Sequence, residues 1–368
     1  MDFSFSPEQD LLRAQARSFL EKRFPATRIA ELASSDEGWD RSSWQELARL
    51  GWTGASIPEA DGGAGQSFLE EAIIFEELGR ALYPGPYFAT VGLALPALAC
   101  APELLPRIAS GAFTATLASR EPGRPAGAAK ADAVATEARC VNGRWLLRGE
   151  KHLVPDAGCV DAFVVVARGP DGVALFLTER RHDRPRVSVL DTVDATRRLG
   201  RVTLDDDEGT LLAAPPAAVE IIARTRRRAL AALALEAVGI ASQALALGVA
   251  HAKTREQFGR PIGAYQAVSH KLADTYVEVE LARSLAYWAA WCIAEGDGQA
   301  ELAALAAKAH AAEAAVAACE RAIQVHGGMG FTWDHPLHRY YKRALWIESF
   351  DRSGADHRAE IARALLDG

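Results

Sequence analysis

Two hydrophobic periods share this chain, and the points where one replaces the other limit the folds open to it. From Ser6 to about Pro106 apolar residues recur at helical spacing, as in Leu12, Ala16, Phe19 and Leu20, and again in Leu69, Ile73, Ile74, Phe75 and Leu78. Spacings of three and four gather side chains on one face of a helix. Ser6-Pro7-Glu8-Gln9 supplies a helix start, with a capping hydroxyl, proline at the first helical position and acidic and amide side chains in the first turn. The segment 58–65, PEADGGAG, cannot hold a helix and marks a loop. From about Ala112 to Ala218 apolar and polar residues alternate instead, with β-branched residues enriched at 114–119, 144–149, 162–167, 173–178 and 186–190. Short strands divided by Gly, Pro and Asp turns predict a compact β-barrel or sandwich, and Val141-Asn142-Gly143-Arg144 reads as a hairpin turn. From about Ile221 to Leu366 the helical period returns, rich in alanine, and the stretches 230–252 and 303–325 are apolar on most sides, as central helices of a bundle are. The expected fold class is therefore α+β and multidomain: an N-terminal α-helical domain over 1–111, a middle β-barrel or sandwich domain over 112–220, and a C-terminal four-helix bundle over 221–368.

The 368 residues carry a formal net charge of -7, which argues against a nucleic-acid partner, because phosphate contacts need clustered Lys and Arg. The run Arg226-Arg227-Arg228 reads as a solvated loop or helix end, or else as a contact to a ligand's phosphate. Five scattered cysteines, Cys100, Cys140, Cys159, Cys292 and Cys319, have no CxxC spacing, so no metal site is expected and the thiols read as free in a reducing compartment. The acidic, polar start MDFSFSPEQD lacks the pattern of a signal peptide, and no uninterrupted apolar run reaches membrane-spanning length. No membrane association and a cytoplasmic location are the expectations that follow.

Two segments carry chemistry. In Arg255-Glu256-Gln257-Phe258-Gly259-Arg260-Pro261-Ile262-Gly263-Ala264-Tyr265-Gln266 the arginine offers a planar, permanently charged fork suited to pyrophosphate. In Gln324-Val325-His326-Gly327-Gly328-Met329-Gly330-Phe331 the glycines remove side chains, so that backbone amides can approach a phosphate. Either motif alone fits equally well an exposed arginine or a glycine helix cap. Together, these segments resemble the RxxFGxxIxxxQ and QxxGGxGF signatures of the acyl-CoA dehydrogenases. The resemblance runs the length of the chain through Leu50-Gly51-Trp52, Pro58-Glu59-Ala60-Asp61-Gly62-Gly63, Glu76-Glu77-Leu78-Gly79, Glu121-Pro122-Gly123, Gly149-Glu150-Lys151 and Leu272-Ala273-Asp274, in the family's order.

The resemblance implies α,β-dehydrogenation of an acyl-CoA thioester with FAD as cofactor and electrons passed to an electron-transfer flavoprotein. It implies a homotetramer, or a heterotetramer with a second acyl-CoA dehydrogenase subunit. It also implies cofactor contacts from Arg255, Phe258, Gln266, Gln324, Gly327, Gly328, Ser119, Val154 and Ser353, with the adenosine and pyrophosphate end belonging largely to the neighbouring protomer's FAD. Such a reaction needs a carboxylate base for the α proton while the β hydrogen leaves as hydride to the flavin. Where much of the family carries the base in YEG(T/S), this chain reads Phe350-Asp351-Arg352-Ser353; Asp351 is one methylene shorter than the usual Glu, and its alternative is a plain carboxylate near Arg352 and His357. Some relatives place the base on the helix before the arginine motif, at the position of Ala229. Further along that helix Glu236 is the one charge between Arg228 and His251, and it is either a desolvated base or a partner for an arginine on a neighbouring helix.

The β region departs as well. Relatives read TEPGAGSD and GxKxWIT around the flavin ring; this chain reads Arg120-Glu121-Pro122-Gly123-Arg124-Pro125 and Gly149-Glu150-Lys151-His152-Leu153-Val154-Pro155, losing the tryptophan and both threonine hydroxyls. Weakened ring contacts beside intact adenosine-end motifs fit a self-sufficient enzyme with a variant pocket, or a non-catalytic subunit that completes a partner's FAD site. A flavin oxidase on the same fold is a third reading. The stretch Pro155-Asp156-Ala157 is similar to variants seen in dehydrogenases of bulky substrates, and that resemblance implies a steroid, cyclic or branched acyl-CoA.

Overall fold

The computed structural model describes residues 5–123 and 134–366, so Arg124 and Pro125 of the departing segment lie outside the described residues. In chain order the elements are helices α1 Pro7–Arg23, α2 Ala26–Ser34, α3 Arg41–Arg49 and α4 Phe68–Ala81, then a π-helical turn Phe88–Ala94 running into α5 Leu95–Leu98, and α6 Leu105–Ala109. Strands follow: β1 Ala115–Ala118, β2 Glu137–Val141, β3 Arg144–Pro155, β4 Ala162–Gly169, β5 Gly172–Glu179, β6 Arg186–Val189 and β7 Leu199–Ala213. The chain closes with α7 Ala217–Thr254, a two-residue hairpin of β8 Glu256–Gln257 and β9 Arg260–Pro261, then α8 Gln266–Ala294, α9 Ala300–His326, α10 Leu337–Ser349 and α11 Gly354–Leu366. Helices, strands and helices thus succeed one another as the two periods predict.

These elements form two compact units, which the sequence interleaves. One comprises Met1–Glu31, Phe68–Tyr83 and Leu230–Gly368; the other comprises Leu32–Ser67 and Pro84–Ala229.

In the first, helical unit, α1 begins as its sequence demands: the Ser6 hydroxyl accepts from the Gln9 amide while the Gln9 side chain accepts from the Ser6 N–H. Arg13 and Arg17 then fasten α1 to α4, Arg17 gripping Glu77 with two hydrogen bonds of 2.6 and 3.0 Å. Glu76 collects Arg13, Arg283 and the Tyr287 hydroxyl. Helices α4 and α7 touch backbone to backbone, because a methyl group on Gly79 would overlap the Glu236 carbonyl and one on Gly239 the Glu76 carbonyl. The alanines of α9 are almost all buried, which permits close helix approach. Helices α7 and α9 are long and apolar enough by composition to cross a membrane, and most of that length is buried inside the protein.

In the second unit the strands close a circuit: β4 pairs with β2, β2 with β3, β3 with β7, β7 with β5 and β5 with β4, while β1 adds in parallel beside β4 and β6 lies on β7. This is the barrel the alternation predicts, filled by Leu147, Val154, Phe163, Val165, Phe176, Val202 and Leu204. The β2–β3 turn is Asn142-Gly143 with both residues in the left-handed region, as expected for a two-residue hairpin. The longest strand, β7, went unpredicted because its middle reads Asp205-Asp206-Asp207-Glu208, acidic residues that strands disfavour. The run Arg226-Arg227-Arg228 is neither loop nor helix end: it lies inside α7 and is half-buried, with Arg228 donating to the Ser56 hydroxyl at 2.7 Å.

Candidate functional site

The two glycine and arginine motifs meet at one end of the helical unit. The last turn of α7 and the last turn of α9 are brought together by stacked imidazoles, His251 on His326 with centroids 4.3 Å apart, and His335 packs on His326 at the same separation. Just beyond His251 the chain forms the tight β8–β9 hairpin, in which the Ile262 N–H donates to the Arg255 carbonyl and Arg260 covers the Tyr265 ring. Just beyond His326 Gly327 takes φ 63 and ψ -140, a conformation that favours glycine, and starts the 3-10 turn Gly327–Phe331. Arg255, Gln266, Gln324 and Gly328 are exposed, Phe258 is 93% exposed, and a Cβ on Gly327 or Gly328 would meet nothing within 4 Å. An open cradle of unencumbered backbone beside a guanidinium fits the pyrophosphate end of FAD.

The three imidazoles were not singled out in the sequence, where they lie far apart; only His326, inside the glycine motif, carried a signal. Burial first and the neighbouring imidazole charge second hold His251 and His335 below the usual histidine range.

The flavin-ring segments come together in the barrel unit. The His152 N–H donates to the Arg120 carbonyl at 2.8 Å, which sets the strand carrying Val154 beside the segment following Ser119. The Val154 side chain points into the barrel core, so any cofactor contact there falls to its backbone. A β-bulge between Lys151 and Val154, with Leu153 in the left-handed region, re-aims this stretch. Beneath it lies a buried ion pair: Glu121 accepts from the Lys151 ammonium at 2.6 Å, from the Thr136 hydroxyl and from the Ala135 and Thr136 amides. Burial pushes Lys151 down to about 8, while Glu121, which burial alone would raise, is held below its ordinary value by the ammonium and these donors.

Both carboxylates considered as bases are engaged. Glu236 on α7 lies 2.5 Å from the Arg343 guanidinium on α10, and both side chains are buried, the helix-to-helix pairing that its sequence left as the alternative. Asp351 sits in the turn after α10 at φ 63, and its Oδ2 lies 3.1 Å from Nε2 of the wholly buried His357. The buried Lys308 ammonium of α9 stiffens this turn by donating to the carbonyls of Glu348, Phe350 and Arg352 at 3.2, 3.1 and 3.4 Å. Ser353, expected at the cofactor, is occupied locally: its hydroxyl and the Asp356 carboxylate cap the start of α11 reciprocally. His357 is the neighbour that the sequence offered Asp351, whereas Arg343 and Lys308 carried no signal, because charges in an alanine-rich or basic helix do not reveal from sequence which of them face inward.

Residues 6–111 match the acyl-CoA dehydrogenase N-terminal domain and residues 222–366 the acyl-CoA dehydrogenase C-terminal domain. The acyl-CoA dehydrogenase IpdE2 of Mycobacterium tuberculosis is 33% identical over 338 residues, 92% of this chain and 91% of that one. Among solved structures, a variant of the Tcur3481-Tcur3483 steroid ACAD is 32% identical with a TM-score of 0.86 over 98% of both chains. The ChsE4-ChsE5 complex of Mycobacterium tuberculosis is 27% identical with a TM-score of 0.89 over all of both chains. Fold, motif order, cradle and relatives converge: the chain belongs to the acyl-CoA dehydrogenase family, oxidoreductases that act on acyl-CoA with FAD.

Proposed function

We propose that this chain is one of two complementary subunits of an acyl-CoA dehydrogenase, completing the FAD site of a neighbouring chain that supplies the base. The observation that carries this reading is the commitment of both carboxylates. A proton taken up by Glu236 would leave the Arg343 guanidinium buried opposite a neutral acid, a situation that costs several kcal/mol. Asp351 is short for the task and turned toward His357. The adenosine-end motifs, by contrast, are exposed: Arg255 would hold the pyrophosphate, with the Gly328 backbone open beside Gly327, whose own N–H donates to the Gln324 carbonyl, and Phe258, Gln266 and Gln324 would border it. When bound, FAD supplies the hydride-accepting ring. The relatives support the two-chain reading, since two of the structures are of paired chains by name. A bulky polycyclic acyl-CoA is the proposed substrate class, supported by the likeness to a steroid enzyme, with an electron-transfer flavoprotein as acceptor.

The test is visible absorbance of the chain purified alone and after coexpression with candidate dehydrogenase partners, followed by anaerobic addition of acyl-CoA thioesters. The expected result is a colourless chain that acquires flavin bands, bleached by thioester, only in the complex. A second reading keeps Asp351 as base of a self-sufficient enzyme, favoured by its place in the turn where the family carries its base. Flavin bands in the chain alone, bleached by a thioester and silenced by Asp351→Asn, would establish it and end the two-chain proposal.

A further inference from the structure

A cavity of about 200 Å³ lies within the helical unit, away from the glycine and arginine motifs, lined by residues of α1, α2, α4, α7 and α10. Its floor is apolar: Leu20, Phe24, Ile29 and Leu82 are buried there, and Leu247 adds to it. Its walls hold three guanidinium groups, those of Arg17, Arg80 and Arg339, against two carboxylates, Glu21 and Glu77. Arg17 and Glu77 neutralise each other through their two-point contact. That leaves Arg80 and Arg339 facing Glu21, an excess of one positive charge over an apolar floor.

Arg80 is the telling residue. Its Nε is buried with no hydrogen-bond partner, a condition that costs free energy unless something accepts the proton. Burial first, and the Arg17 charge second, lower its basicity, as for a cation in an unfavourable place that an anion would relieve. Beside it the backbone is strained: α4 ends through Leu82 at φ 57, where glycine is usual, and the left-handed residue sets the Leu82 side chain, 1% exposed, into the floor. An under-partnered cation, an apolar floor and local backbone strain converge on one cavity.

We propose that this cavity binds a short-chain alkyl carboxylate, its tail on Leu20, Phe24, Ile29 and Leu247 and its carboxylate on Arg80 and Arg339. At about 30 Å³ per water-sized group, 200 Å³ holds roughly seven heavy atoms, the size of pentanoate or hexanoate. The site is independent of the flavin cradle, so it stands whether or not the two-chain reading does.

Sodium hexanoate is the probe, titrated into the full chain by ligand-observed NMR and calorimetry, with hexan-1-ol as the uncharged control. Saturable hexanoate binding, about tenfold tighter than hexan-1-ol, is expected, weakened about tenfold by Arg80→Gln and more than that by Leu247→Trp, which fills the floor. Should Arg80→Gln fail to fold, Arg339→Gln and Leu247→Trp decide the matter, since neither removes a fully buried charge. Equal binding of the alcohol, binding unchanged in the variants, or no saturable binding would each overturn the proposal.

Discussion

In the barrel unit the buried Glu121 is surrounded by four donors, two of them backbone amides, and its cation is a lysine; in the helical unit the buried Glu236 meets an arginine across two long helices. Both pairs are deep, yet they behave differently for a chemical reason. A lysine is a compact point charge whose proton burial can loosen, and Lys151 is pushed down to about 8. An arginine keeps its proton at any accessible pH, so the cation that faces Glu236 stays charged where a lysine can lose its proton. The pair beneath the flavin-ring segment is therefore adjustable, while the pair that fastens α7 to α10 is permanent. For Glu236 permanence is the opposite of what a proton-abstracting base requires.

The largest expected effect tests that permanence. Arg343→Ala strands the Glu236 carboxylate in the helix interior and should cost about 3–5 kcal/mol by urea unfolding, whereas Arg343→Ala combined with Glu236→Leu should recover most of the loss. A small cost for the single variant would mean that the Glu236 carboxylate does not depend on Arg343 for its charge, and would revive it as a base.

Lys151→Met should cost less, about 2–3 kcal/mol near neutral pH, because the Ala135 and Thr136 amides and the Thr136 hydroxyl remain on Glu121. Its pH dependence sharpens the contrast. Between about pH 8 and the ordinary value of 10.5 the unfolded chain holds the Lys151 proton and the folded protein does not. More protons on the unfolded state mean that the contribution of Lys151 to stability rises with pH across that window and is smallest below pH 8. The unfolding midpoint of the wild type should gain on Lys151→Met between pH 8 and pH 10. The difference between Arg343→Ala and the wild type should stay flat over the same range; parallel behaviour of the two variants would erase the distinction.

The smallest effect belongs to the turn after α10. Ser353→Ala removes a hydroxyl that caps α11, so a loss of about 1 kcal/mol in stability is expected, with FAD retention by the assembled complex unchanged. A loss of flavin without a loss of stability would return Ser353 to the cofactor.

Much of this was legible in advance because it is local. The Ser6 to Gln9 capping box, the Asn142-Gly143 turn, the barrel strands and the glycine break after α9 each depend on residues a few positions apart, and sequence spacing reports such relations directly. The strand β7 escaped because its middle is a run of acidic residues, of which Asp207 is buried against Arg184 while Asp205, Asp206 and Glu208 are exposed, so the barrel's closure overrides local propensity. Lys308 is one of several spaced charges in the alanine-rich α9, with Glu301 and Glu313, and only the position of the turn after α10 shows why it is buried.

The sequence by itself determined the order of helices and strands, the family and the two motifs that end α7 and α9, since all of these rest on period, composition and short-range spacing. The tertiary structure alone decided what each buried charge faces. Glu236 and Arg343 are 107 residues apart and Lys151 and Glu121 are 30 apart, and no local rule links such residues. Whether a carboxylate is a base or one half of an ion pair is set by the group the fold brings opposite it, because in a low-dielectric interior an uncompensated charge is too costly to leave unmatched.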